Sequence, residues 1–204
     1  MSRAEADDDL RAPPRQERQT VAQPPDGTSF DMAALTPRDR YTLLRDTVMP
    51  RPIAWVSTVD AAGRANLAPF SFFNVVSAAP PILGFSVGPR DDDFEAARPL
   101  PKDTLANVRA TGELVVNLVP ELLLDRMVRT SDPLPPGEDE FVHAGLAAAP
   151  SVRVRPPRVR EAFVAFECRV YDIIQLQTHH WVMGEVIQAH IRDAVYLGTG
   201  RGAH

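Results

Sequence analysis

The feature that most restricts how this chain can fold is the run from Arg51 to Asn74, RPIAWVSTVDAAGRANLAPFSFFN. It opens with Ile53, Trp55, Val56, Thr58 and Val59, bulky and β-branched side chains that suit a pleated strand. Asp60-Ala61-Ala62-Gly63 then supplies a turn, in which the glycine takes a positive φ at little cost. The return run, Asn66 to Asn74, contains Pro69. Proline has no ladder donor and holds the preceding Ala68 extended, so this run is predicted to lie on a sheet edge or to leave the sheet. Small residues and hydroxyls are interleaved there with Phe70, Phe72 and Phe73. Such a mixture suits a flat, partly polar aromatic ligand: small residues admit it, rings flank it, and free backbone groups hydrogen-bond its rim.

The rest of the composition narrows the class. A length of 204 residues suits one domain that buries a core without disulfides or metal. Twenty prolines favour strands and loops over a helical bundle. The single Cys168 stands in an apolar, strand-like run and reads as a small buried hydrophobe, in keeping with a reduced, cytoplasmic setting. Residues 1–34 are polar, charged and Pro-containing, which predicts a disordered extension before an ordered domain at 35–198 and a short tail at 199–204. There is no signal-peptide h-region, and no apolar run reaches the roughly 20 residues of a membrane span. A net charge of -5, with no Lys/Arg cluster interleaved with aromatics, argues mildly against nucleic acid.

Along the chain, Thr36-Pro37-Arg38-Asp39 reads as a helix start, with Tyr41, Leu44 and Val48 on the face that packs against the core. Ile82 to Val87 is a strand. The acidic triplet Asp91-Asp92-Asp93 belongs to a solvated loop, since adjacent carboxylates on an extended chain do not converge on one ion. Lys102-Asp103-Thr104 opens a helix with Asp103 as N-cap and Gly112 as its end. The unpaired N–H groups there, beside a lysine and a hydroxyl, make a phosphate site in principle. Leu114 to Val119 reads as a strand buried on both faces, and Pro120 starts a short helix through Met127. Phe163–Gln177 and Trp181–Ile191 form a hairpin around Thr178-His179-His180. No GxSxG elbow and no zinc-ligand spacing appears.

Asn66-Leu67-Ala68-Pro69-Phe70-Ser71-Phe72-Phe73-Asn74, then Pro80-Pro81-Ile82-Leu83-Gly84-Phe85-Ser86 and Lys102-Asp103-Thr104-Leu105-Ala106-Asn107-Val108, closely resemble the flavin reductase-like family. The likeness resumes at Glu138-Asp139-Glu140-Phe141, Ala144-Gly145-Leu146, Glu167-Cys168-Arg169-Val170 and Gly184-Glu185-Val186, in family order, and covers about Pro37 to Arg192. It implies an all-β fold with a few short helices: an FMN-binding split β-barrel, antiparallel with Greek-key connections.

It also implies a site. Ser57 and Thr58 would contact the ribityl chain or phosphate of FMN. Asn66, Leu67, Ala68, Pro69, Ser71, Phe72, Phe73 and Asn74 would line the isoalloxazine, with Ser86 on the next strand beside them. Lys102 and Thr104 would hold the phosphate. His179 stands five residues before Gly184, where related short-chain flavin reductases carry a histidine near the nicotinamide or flavin edge. No catalytic acid, base or nucleophile is required, because the isoalloxazine carries the redox step. The implied activity is hydride transfer to flavin from NADH or NADPH as a transient co-substrate. Two alternatives stand beside it: a flavoredoxin-like electron carrier with permanently bound FMN, and a non-catalytic flavin-binding module. The family's habit implies a homodimer with each flavin near the interface, and a monooxygenase or other redox protein as recipient.

Overall fold

The computed structural model of the chain describes residues 27–90, 101–134, 138–196 and 198. The first 26 residues of the predicted disordered extension, the Asp91–Asp93 triplet and the 199–204 tail lie outside these. Contacts divide the chain into Met1–Thr36 and Pro37–His204. Within the first unit Asp31 closes a turn, its Oδ1 accepting the Ala33 N–H and its carbonyl the Ala34 N–H.

The second unit is built on seven antiparallel strands: β1 (Ala54–Val59), β2 (Ala65–Phe70), β3 (Phe73–Ala78), β4 (Pro81–Val87), β5 (Glu113–Leu118), and the long β8 (Val164–Leu176) and β9 (His179–Ile191). They hydrogen-bond in the order β2-β1-β5-β8-β9-β4-β3. A ribbon of β6 (Ala148–Ala149) and β7 (Arg158–Val159) is separate. β2 and β3 are consecutive in sequence yet occupy opposite ends of the sheet. Only Ser71-Phe72 joins them, so the Cα atoms of Phe70 and Phe73 are at most roughly 10 Å apart. The sheet must therefore curl until its edges approach, which makes a barrel split along the β2 side. The Ser86 N–H donates to the Phe72 carbonyl at 2.9 Å and ties the link to β4. Pro69 thus lies on an edge strand, and the chain leaves that strand one residue later, as the sequence predicts.

β1 sits between β2 and β5, and all six of its residues are buried. Ala54 and Val56 join Phe70, Phe73, Phe85 and Leu105 in one core cluster. On the other face Trp55 joins Leu67, Met127 and Phe141, and its indole N–H donates to Thr130 Oγ1 at 2.9 Å. Each such side chain contributes roughly 1.5–3 kcal/mol by leaving water. Cys168 is fully buried in the first cluster, and burial, aided by the Glu167 charge, pushes its thiol up to about 12.

Among the described residues the α-helices are α1 (Pro37–Thr47), α2 (Asp103–Thr111), α3 (Leu124–Arg129) and α4 (Glu140–His143). Three expectations need correction. First, the N-cap of α2 is Lys102 and not Asp103, which is the first helical residue; Gly112 does end the helix, in the left-handed region at φ 69°. Second, α1 has no fully buried residue, and its Leu44 and the following Val48 are 46% and 55% exposed, so the expected face does not pack into the core. Tyr41 alone of that face makes a ring contact, its centroid 5.7 Å from that of Phe72. Third, the β8–β9 turn is Gln177-Thr178, which places His179 and His180 on β9. β8 is one residue shorter at each end than the expected Phe163–Gln177, and β9 starts two residues before Trp181.

Candidate functional site

Among the described residues β2 pairs only with β1, which leaves one side of its backbone unpaired by any described strand. The Leu67 N–H donates instead to Glu140 Oε2 at 3.2 Å, which shows that Leu67 points its amide off the sheet edge. By the alternation of a strand, Ala65 and Pro69 face the same way. Pro69 offers only a carbonyl there. Beside this edge lies a cavity of about 1050 Å³, bounded by β2, the start of α2 and the chain around α3 and α4.

The start of α2 is built unlike an ordinary helix entry. Lys102 at the N-cap is extended, and its side chain makes no capping hydrogen bond. A lysine cannot accept from the first N–H groups, so the donor-rich, electropositive end of α2 opens into the cavity. Lys102 and Thr104 both line it. Thr104 is buried, and its Oγ1 accepts from Asn66 Nδ2 at 3.0 Å, which leaves its O–H as a donor. A parallel bond from Asn107 Nδ2 to Thr58 Oγ1 at 3.0 Å locks α2 to β1. Arg90, which sequence reasoning missed, also borders the cavity; its Nη2 lies 2.7 Å from Asp103 Oδ1 and offsets that negative charge. Only the fold brings Arg90 beside the helix start, so no local pattern marks it.

The opposite wall comes from the Glu138-Asp139-Glu140-Phe141 run. Asp139 caps α4, its Oδ1 accepting the Phe141 N–H at 2.8 Å, while Phe141 is anchored in the second core cluster. This fixes Glu140 half-buried at the cavity wall. Burial raises its pKa, and the charges of Asp139 and Asp103 act in the same direction.

A smaller cavity of about 100 Å³ shares Pro69, Phe70 and Lys102 with the large one. It is lined by Ser71, Phe72, Ser86 and His179, with Tyr41 from α1. The Phe72 ring carries the Arg51 guanidinium 5.6 Å from its centroid. Gly88 is close to His179: a Cβ there would stand 3.2 Å from Nε2.

Asn66, Ala68, Pro69, Lys102 and Thr104 of the sequence-predicted site therefore meet in the large cavity, and Ser71, Phe72, Ser86 and His179 in the small one. Others lie elsewhere. Ser57 is fully buried and donates to the Pro157 carbonyl, and Thr58 is fully buried against Asn107. Neither lines either of these two cavities, because β1 is covered on both faces. The Leu67 and Phe73 side chains belong to the core clusters, so Leu67 faces the site only through its backbone. Asn74 is exposed, its Oδ1 accepting the Val75 N–H at 2.8 Å. Among the described residues no cluster of three or more His, Cys, Asp or Glu could hold a metal, and no helix is long and apolar enough to cross a membrane.

Known proteins resemble this chain in sequence or in fold. An uncharacterised protein of Aquifex aeolicus is 43% identical over 155 residues, covering 76% of each chain. Nitrilotriacetate monooxygenase component B from Bacillus cereus superposes with a TM-score of 0.77 at 31% identity, over 86% of both chains. The Pseudomonas fluorescens 2-nitrobenzoate 2-nitroreductase NbaA does so with a TM-score of 0.71 at 31% identity, over 82% of this chain and 78% of its own. Residues 45–201 match the family described as "Flavin reductase like domain", and the chain belongs to that family of split-barrel flavoproteins.

Proposed function

We propose that the chain binds FMN along the free edge of β2 and reduces it with NADH or NADPH. The observation that carries this reading is the meeting, in one cavity, of an uncapped helix start, Lys102, the Thr104 hydroxyl and an unpaired strand edge. The donor set fits the cofactor. Phosphate oxygens accept hydrogen bonds, and Lys102, the Thr104 O–H and the first N–H groups of α2 all donate. The half-buried Ala68 and Pro69 leave room beside the backbone edge for a flat ring, whose polar rim that edge can bond. When bound, the flavin supplies a hydride-accepting centre at N5. The protein's part is to orient the ring, exclude water and leave one face open to a nicotinamide. That Ser71, Ser86 and His179 line the adjoining small cavity supports them as the side chains that would meet that second molecule.

The likeness to a monooxygenase B component supports an oxygenase as recipient of the reduced flavin. A row of apolar side chains on the outer face of β3, β8 and β9 supports a homodimer. The test is an anaerobic titration of the FMN-supplied protein with NADH and then NADPH, followed by the visible flavin band. Rapid bleaching with either nucleotide is the expected result. A tightly held flavin that bleaches with dithionite but with neither nucleotide would make the protein an electron carrier. A protein that takes up no flavin would overturn both readings. Lys102→Ala is expected to weaken FMN about tenfold or more, the loss of one charge-assisted contact, without lowering the thermal midpoint.

A further inference from the structure

Glu140 is a residue of the groove that the fold does not need as an acid. Its Oε2 accepts the Leu67 N–H, one strand position from the Asn66–Thr104 bond at the helix start. A glutamine would hold that N–H equally well and carry no charge. Instead the carboxyl is half-buried, and Asp139 and Asp103 crowd it electrostatically; its own backbone N–H and that of Leu67 offset only part of the penalty. Around the same cavity stand Asp60 and Asp132, and on the positive side Arg64, Arg90 and Lys102. A carboxyl whose pKa is raised on folding contributes stability below the ordinary carboxylate range and loses that contribution as pH rises through its folded value. Ionising the group as pH rises therefore costs stability relative to its protonated form. Charge kept in a cleft at the expense of stability marks a binding role.

A carboxylate only accepts hydrogen bonds, so it can read only donors on a ligand. A flavin's phosphate has none to offer and would be repelled. Its donors are the ring N3–H and the hydroxyls of the polyol chain that joins ring to phosphate. With Lys102 and Thr104 taking the phosphate, the neighbouring wall faces the polyol. We infer that Glu140 reads the polyol chain of a bound flavin, accepting hydrogen bonds from its hydroxyls. This rests on the flavin reading of the groove.

The experiment compares the full-length protein with E140A and E140Q, titrated with riboflavin, which carries the polyol, and with lumiflavin, which lacks it. Binding is followed by quenching of flavin fluorescence, and the thermal midpoint of each ligand-free protein is measured at mildly alkaline pH. E140A is expected to lower riboflavin affinity about tenfold and E140Q by less, with lumiflavin affinity unchanged. E140Q is expected to raise the ligand-free midpoint, which a merely structural acid would lower. Equal weakening of both ligands would assign Glu140 to the ring and overturn the inference, as would a lowered midpoint in E140Q. Unchanged affinity in both variants, with the wild type binding both ligands, would overturn it while leaving the flavin reading intact. A wild type that binds neither ligand would overturn both.

Discussion

Glu167 has no exposed surface, yet its carboxyl titrates below the usual range. Burial alone would raise it. The Val152 and Arg153 N–H groups at 2.8 and 2.6 Å, with His190 Nε2 at 2.6 Å, more than compensate. The carboxylate thus staples Val152 and Arg153 to β8 and β9, within the same loop whose Pro157 carbonyl accepts from Ser57. Because the folded pKa is depressed, this contribution to stability is complete above the ordinary carboxylate range and disappears as pH falls through the folded value. Thermal melts across the acid range should show the wild-type midpoint falling. Glu167→Gln should be less stable by about 2 kcal/mol at neutral pH and should show a shallower acid dependence. Glu140 has the opposite sign. The two acids differ because three donors converge on Glu167 and outweigh its burial, whereas at Glu140 burial prevails, with negative neighbours adding to it.

Among the elements, the β8–β9 hairpin carries a local conflict. Its two-residue turn places Gln177 at φ 54°, a conformation that costs a side-chain-bearing residue roughly 1 kcal/mol or more. Gln177→Gly is expected to raise stability by a few tenths to about 1 kcal/mol, the gain being reduced by glycine's greater freedom when unfolded. Chemical denaturation with an unchanged m-value would establish it; a loss of stability would mean that the Gln177 side chain makes a compensating contact. At α2 the departure from local rule is different in kind. An ordinary helix would be capped by Asp or Ser, whereas Lys102 leaves the first N–H groups open. Stability forgone there is consistent with an anion site.

For the whole barrel, the outer face of the sheet is the feature still to be matched. The Trp181 ring of β9 lies on Gly84 of β4, so close that a Cβ there would stand 2.5 Å from the ring, and Val76 of β3 closes on the same point at 2.7 Å. Ile174 and Leu176 of β8 and Val76 are 44%, 54% and 45% exposed. An apolar row crossing several strands is more than single scattered residues, and a self-complementary dimer would cover it. Light scattering should return twice the chain mass at micromolar concentration, and Ile174→Asp should shift the species toward monomer. A wild type monomeric throughout that range would remove the dimer from the proposed function.

Much of this architecture is encoded locally. Alternating β-branched and aromatic residues define β1, Gly63 the turn, and Pro69 the edge position of β2, because each acts on its own backbone. Lys102 and Thr104 are legible for the same reason: a helix start carries its own field. Local chemistry does not specify which neighbours arrive. Ser57 and Thr58 read as site hydroxyls until β1 turns out to be covered on both faces. Arg90 and Glu140 become cavity residues only when the fold brings Arg90 to the start of α2 and α4 to the edge of β2. Leu44 and Val48 have helical spacing, but spacing cannot supply a surface to pack on. Sequence by itself determined the strands, the breaks and the helix-start charge, since these depend on intrinsic backbone preference. Tertiary structure decided burial, partners and titration, since these depend on groups that lie far apart along the chain.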